Sequence, residues 1–195
     1  MFFDIFDEVY EPAEDTFLFA ENLYVEKGED VLDLGTGCGI LGVLAARDAN
    51  FVLAVDLNPY AIKCAKQNCM LNYSNNKIAF IQTDLFSAFS DSAAFDLVLF
   101  NAPYLPSEEN EDMSWIGKAW AGGLNGRQVV DRFITQVPLH LKTEGRVLLM
   151  QSTLTGVEET LKKFGEQHLL ATIKAEIKTP FFETLTLIEA KRISL

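Results

Sequence analysis

Val31-Leu32-Asp33-Leu34-Gly35-Thr36-Gly37-Cys38-Gly39-Ile40 is the stretch whose reading decides the fold. Val31, Leu32 and Leu34 make a short apolar run, the pattern of a strand covered on both faces. Gly35, Gly37 and Gly39 then let the backbone turn sharply and approach a ligand closely before a helix opens near Ile40. Asp33 places a carboxylate just ahead of the turn. The spacing is acidic-x-Gly-x-Gly-x-Gly, so the third glycine comes one residue earlier than in the dinucleotide fingerprint G-x-G-x-x-G. A pyrophosphate beside Asp33 would be repelled. S-adenosylmethionine carries no phosphate, and its ammonium and sulfonium favour a nearby carboxylate. A glycine-rich strand–helix turn with no ligand is the plainer alternative, and these ten residues alone leave it open.

The pattern continues on both sides of that turn. Residues 1–12 are acidic and aromatic and read as an extended or partly hairpin-like lead-in, and a helical pattern follows over 13–23. Strands are expected at 31–35, 51–55, 78–82, 95–100, 146–150, 169–178 and 183–190. Helices are expected at 40–47, 59–71, 126–141 and 157–164, with Pro138 bending or breaking the third of these. The last two strands look like a long antiparallel pair around Thr179-Pro180-Phe181. Residues 105–125 form the one long irregular stretch, and loops of that length in a compact domain are usually functional or disordered. Alternating strands and helices argue for an α/β fold, a mostly parallel sheet with helices on both faces.

Composition narrows the function classes. At 195 residues and 49% apolar content the chain is expected to be a single domain over 1–195, with 1–27 an N-terminal segment and helix. No apolar run approaches the ~20 residues of a membrane span, so no membrane partner is expected. The start, Met1-Phe2-Phe3-Asp4, lacks the basic region of a signal peptide, which points to a cytoplasmic protein. Cys38, Cys64 and Cys69 are odd in number and show no metal-ligand spacing, so reduced thiols and no metal are expected. His140 and His168 fall at no predicted strand end and read as structural or exposed. The net charge is −12, and residues 1–60 set thirteen acids against Lys27 and Arg47 alone. Such a surface repels a phosphate backbone, so no direct nucleic-acid contact is expected. It attracts a basic protein surface, or simply keeps the chain soluble.

In open α/β sheets the ligand lies beyond the carboxyl ends of the strands, where strand order reverses. Three acids stand at such ends. Asp56, after strand 2, suits the two hydroxyls of an adenosine ribose, or caps the next helix. Asp84, after strand 3, suits an adenine amino group, with the Leu85 backbone on the ring edge, or is an ordinary loop acid. After strand 4 comes Asn101-Ala102-Pro103-Tyr104, the reaction candidate. The motif resembles the one at this place in Rossmann-like methyltransferases that modify planar amide or amino nitrogens. An amide nitrogen has a delocalised lone pair and is a poor nucleophile, so the resemblance implies a site that holds its two N–H groups with two acceptors and aims the nitrogen. The Asn101 side-chain oxygen and the Ala102 carbonyl can accept, and the Tyr104 ring can stack on a flat group.

The glycine turn and the 101–104 motif resemble those of the Rossmann-like methyltransferases, whose strand order is 3-2-1-4-5-7-6 with an antiparallel strand at one edge. In those that modify planar nitrogens the second motif is Asn/Asp-Pro-Pro-Tyr/Phe, so Ala102 departs from the pattern and leaves the loop less rigid. Two further stretches narrow the likeness. Tyr10-Glu11-Pro12-Ala13-Glu14-Asp15-Thr16-Phe17-Leu18 and Ala119-Trp120-Ala121-Gly122-Gly123-Leu124-Asn125-Gly126-Arg127, continuing to Phe133, are similar to the HemK-like glutamine methyltransferases of eukaryotes and archaea. The resemblance implies methylation, from S-adenosylmethionine, of the Gly-Gly-Gln glutamine amide in class 1 translation release factors. It implies that Thr16, Asp33, Gly35, Gly37, Asp56, Asp84 and Leu85 line the cofactor site and that Asn101 touches both cofactor and substrate. It also implies a small zinc-binding activator subunit, expected to add a strand at the exposed strand 3 edge. Residues 105–125 become a substrate loop in which Trp115 and Trp120 either contact the peptide or anchor a local cluster. The competing readings are a nucleic-acid methyltransferase acting on exocyclic adenine or guanine amines, a non-catalytic cofactor-binding scaffold and, least favoured, a dinucleotide oxidoreductase.

Overall fold

The computed structural model describes residues 1–72, 77–108, 114–180 and 183–192. Seven strands, β1 (Asp30–Leu34), β2 (Phe51–Asp56), β3 (Ile78–Gln82), β4 (Phe95–Asn101), β5 (Leu141–Ser152), β6 (Leu169–Lys178) and β7 (Thr184–Arg192), form one sheet. Their order is β3-β2-β1-β4-β5-β7-β6. The first five strands are mutually parallel, and β7 runs antiparallel between β5 and β6. The fold is that of a Rossmann-like methyltransferase, as the strand pattern predicts. Its order reverses between β1 and β4, so the carboxyl ends of these two strands open a crevice.

Both faces of the sheet are covered because the central strands are apolar without alternation. Along β4, Leu97 and Leu99 pack in one cluster with Val31, Phe19 and Leu41, while Val98 and Phe100 pack in the other with Leu32, Phe133 and Phe164. Successive side chains leave a strand on opposite faces, so a continuous apolar run needs a helix layer on each. Those layers draw on α1 (Glu14–Asn22), α2 (Ile40–Ala45), α3 (Pro59–Asn72), α5 (Gln128–Gln136) and α6 (Val157–Glu166). No described helix is long and apolar enough to cross a membrane. Cys38, Cys64 and Cys69 are free and buried.

The structure differs from the sequence reading in three places. Residues 1–12 form no hairpin. They lie along α3, where the Asn68 and Asn72 side chains, one helical turn apart, accept from the backbone N–H of Asp4 and Phe2 at 2.8 and 3.0 Å. The helix expected over 126–141 is shorter. Pro138 has no N–H to continue it, so a 3₁₀ turn over Val137–His140 follows α5, and β5 begins at Leu141 rather than near 146. Within the described part of 105–125, residues 105–108 and 114–125, the two ends are paired. Leu105 N–H donates to the Trp120 carbonyl at 2.9 Å, Gly122 N–H donates to the Leu105 carbonyl at 2.8 Å, and the short helix α4 (Trp115–Lys118) is capped by Ser114. Residues 73–76, the acids Glu109, Glu111 and Asp112, and Phe181 lie outside the described residues. His140 is a core residue, stacked on Phe86 with ring centroids 4.5 Å apart and with Nδ1 2.8 Å from the Ala93 carbonyl.

Candidate functional site

A cavity of about 640 Å³ opens at the carboxyl ends of β1, β2, β3 and β4. The glycine turn, the ends of β2 and β3, the 101–104 motif and the first turn of α1 all reach it. The fold therefore brings together segments distant in sequence, as in the bond between Tyr104 and Asp15, 89 residues apart.

The turn itself is locked from behind. Asp33 is 1% exposed and does not line the cavity. Its Oδ2 accepts from the Thr36 hydroxyl at 2.6 Å and from Gly42 N–H at the start of α2 at 2.9 Å. Burial pushes this carboxyl up to about 7, against the opposing pull of those two bonds. Asp33 thus braces the loop, where the sequence pointed it at a cationic ligand. Gly37, at φ 55°, stands at the cavity wall. A Cβ there would meet nothing nearer than the Gly35 carbonyl at 4.0 Å and would project into open space.

Asp56 does face the cavity. Its Oδ2 accepts from Gly37 N–H at 2.9 Å and its Oδ1 from Asn58 N–H at 2.8 Å, which fixes the carboxylate and leaves it acceptor capacity for a ligand. Burial raises its pKa, and bonds from Asn58, Gly37 and Leu57 oppose that rise. Asp84 also lines the cavity, but Arg132 holds its Oδ2 at 2.7 Å. Leu85 beside it is buried with φ 46°, a left-handed backbone that costs a branched L-residue about 1–2 kcal/mol. Its side chain packs in the core, and that packing sustains the turn.

The 101–104 motif meets α1. Asn101 Nδ2 donates to Asp15 Oδ2 at 3.0 Å and to Thr16 Oγ1 at 3.3 Å. Its Oδ1 is buried and has no hydrogen-bond partner. A buried unpaired acceptor is costly, so this one asks for a donor from a ligand. Tyr104 is 8% exposed and lines the cavity, and its hydroxyl donates to Asp15 Oδ2 at 3.3 Å. Burial, then the Asp15 charge, pushes the phenols of Tyr10 and Tyr104 far above their ordinary range. Ala102 is 3% exposed and packs in the core. Part of the rigidity a proline would give comes from across the neck. Gly126, at φ 71°, packs so tightly that a Cβ would come 2.4 Å from the Tyr104 carbonyl and 2.2 Å from Thr155 Cγ2. Arg127 then ties this corner to the start of α6 through the Thr155 and Gly156 carbonyls at 2.5 and 2.9 Å.

Thr16, Gly35, Gly37, Asp56, Asp84, Leu85, Asn101, Ala102, Pro103 and Tyr104 all line the cavity, and of the sequence-predicted residues only Asp33 does not. Trp115 and Trp120 line it too. The sequence reading missed Asp15, the acid on which the cluster converges. Its single local signal was an acid in the first turn of α1, which any helix tolerates.

Residues 12–117 match the family described as Methyltransferase small domain. A Methanocaldococcus jannaschii protein named as an N5-glutamine methyltransferase is 44% identical over 188 residues, 95% of this chain and 93% of that protein. Methyltransferase HEMK2 of Homo sapiens is 34% identical over 178 residues, 86% of this chain and 82% of that protein. Among solved structures, the E. cuniculi Mtq2–Trm112 complex, described as responsible for methylation of the translation termination factor eRF1, matches with TM-score 0.76 and 25% identity. That match covers 95% of this chain and 99% of the other.

Proposed function

The chain belongs to the HemK-like protein N5-glutamine methyltransferases, and from that premise we propose how its residues divide the reaction. It is an enzyme that methylates the side-chain amide nitrogen of a release-factor glutamine, the one in the Gly-Gly-Gln motif. The observation that carries the assignment to this site is the Asn101 amide. Its nitrogen is consumed by Asp15 and Thr16, and its oxygen is buried and unpaired.

The cavity fits S-adenosylmethionine. Asp56 keeps acceptor capacity at the place of the ribose hydroxyls, and Gly37 leaves a wall without a Cβ. Asp56 and Asp84 line the space, carboxylates suited to a cationic ligand without phosphate. Gly35 and Gly37 would hold the nucleoside, Asp84 and the Leu85 backbone would hold the adenine, and Thr16 would hold the methionine part; all five line the cavity. Asp33 acts through the turn it braces. When bound, the cofactor supplies a methyl group on a sulfonium.

The chain's own part is to hold the acceptor. Asn101 Oδ1 accepts one N–H of the glutamine amide, and the Ala102 carbonyl takes the other. Two acceptors fix the plane of the amide and the direction of its weak lone pair. Tyr10 and Tyr104 keep their protons, so neither is a base, and the cationic product loses its proton after transfer. The 105–125 flap, with Trp115 and Trp120 facing the cavity, clasps the flanking peptide.

A small zinc-binding activator adds a strand at β3. That strand is the sheet edge, and Ile81 on it and Tyr60, Met70 and Leu71 on α3 are exposed. Unpaired edges with apolar surroundings are pairing sites. The acidic N-terminal third steers the enzyme toward a basic factor in the cytoplasm. The test is mass spectrometry of a Gly-Gly-Gln release-factor domain after incubation with enzyme, cofactor and activator. One methyl is expected on glutamine, and Asn101→Ala should form it about 100-fold more slowly or worse. A methyl found on another residue, or one formed by Asn101→Ala at the wild-type rate, refutes the assignment.

A further inference from the structure

We propose that Asp15 is the positioning residue that sets the polarity of the Asn101 amide, so that an acceptor rather than a donor faces the substrate. The proposal rests on the amide-transfer reading above. A carboxamide has nearly the same shape when its oxygen and nitrogen are exchanged, so packing alone does not choose between the two orientations. The choice falls to its hydrogen-bond partners. One orientation methylates an amide, because Oδ1 can receive the N–H. The flipped one presents an NH₂ group to an NH₂ group and binds nothing.

Among the Asn101 partners only Asp15 can make that choice. The Thr16 hydroxyl can donate or accept, and so is indifferent by itself. It is committed by Asp15, because Thr16 Oγ1 donates to Asp15 Oδ1 at 3.1 Å and thereby turns a lone pair toward Asn101 Nδ2. Asp15 Oδ2 accepts from Asn101 Nδ2 directly at 3.0 Å. Both paths end on a carboxylate, which accepts only. The remaining contacts agree. The Tyr10 hydroxyl and the Thr16 N–H donate to Oδ1 at 3.2 and 2.6 Å, and the Tyr104 hydroxyl donates to Oδ2 at 3.3 Å. Flipping Asn101 would set its oxygen against Asp15 Oδ2. Asp15 is 5% exposed and both of its oxygens are taken by donors of this chain, so it acts through Asn101.

Asp15→Asn keeps the shape of the side chain and removes its preference, since its amide can donate to Asn101 Oδ1 and occupy it. The assay is methyl transfer from labelled cofactor to a Gly-Gly-Gln release-factor domain, with kcat, KM, cofactor affinity by calorimetry and melting temperature for each variant. For Asp15→Asn we expect kcat to fall about 100-fold or more, the scale of a lost preorganised hydrogen bond, with cofactor affinity and melting temperature little changed. In an Asn101→Ala background the same change should cost nothing further, because the two residues act as a unit. The swapped pair Asp15→Asn/Asn101→Asp restores a donor facing an acceptor and returns an oxygen to the substrate side. It should regain at least about tenfold over Asp15→Asn alone.

A merely structural role predicts additive losses and no rescue by the swap, and either result overturns the proposal. So does an Asp15→Asn enzyme that turns over at the wild-type rate. Should Asp15→Asn fold poorly, the swapped pair decides: activity above Asn101→Asp alone supports the proposal, and equal activity overturns it. Wild-type enzyme that methylates no glutamine in this assay overturns the amide reading and this proposal together. Wild-type turnover without the expected coupling overturns this proposal alone.

Discussion

Asp33→Asn should stabilise the protein above neutral pH by an amount that disappears in acid. The side chain is 1% exposed, and burial raises its pKa from 3.8 to about 7. A carboxyl raised by folding binds its proton more tightly in the native state. Its contribution to stability is therefore full below about pH 4 and is lost as pH rises toward 7. About three pKa units at 1.36 kcal/mol each set the loss at roughly 4 kcal/mol by pH 8. Asparagine offers one oxygen to the same two donors, the Thr36 hydroxyl and Gly42 N–H, and has no charge to desolvate. The measurement is urea unfolding of wild type and variant at half-unit steps from pH 5 to pH 8.5, without cofactor. The expected difference in unfolding free energy grows with pH in favour of the variant and levels off near pH 8. A difference that is flat across this range, or that favours wild type more strongly as pH rises, refutes the argument that a buried charge is carried at this turn.

Asp56→Ala should raise the cofactor dissociation constant by roughly 30-fold or more in calorimetry, the loss of one or two charge-assisted bonds of about 1.5–3 kcal/mol each. An unchanged constant would remove Asp56 from the ribose site. The pKa of Asp56 is raised, so cofactor affinity should fall as pH drops through a range above that of an ordinary carboxylate, and a wild-type affinity constant across mildly acid pH would contradict this. Phe80→Pro should block a partner strand while leaving the sheet intact. Val52 N–H donates to the Lys77 carbonyl and Thr83 N–H donates to the Asp56 carbonyl, so odd-numbered β3 residues face β2 and the Phe80 N–H faces outward. Loss of activator co-purification with an unchanged fold by circular dichroism is expected, and retained binding would place the activator elsewhere.

What the sequence showed and what it hid divide along a physical line. The strands were legible because Val31-Leu32, Leu97-Val98-Leu99-Phe100 and the glycine turn between strand and helix are local patterns, each set by the period of its own backbone, while their order in the sheet came from the family resemblance. The cavity residues after each strand were legible because the topology carries every strand end to the same crevice. Side-chain direction was not. Asp33 follows Leu32 and precedes Leu34, and nothing in that spacing says its carboxylate turns back under α2 to hold Thr36 and Gly42. The neck of the 105–125 flap depends on Leu105 reaching Trp120 and Gly122, pairings with no periodic signature. Asp15 is the extreme case. It lies inside a motif that drew attention to Thr16, and its partners Asn101 and Tyr104 come 86 and 89 residues later. A lone acid in a first helical turn has many uses, but an acid with five donors and no cation among its contacts has few. It can only orient what donates to it. In this site the donor with something left to give is Asn101, whose other atom is the one the substrate must find.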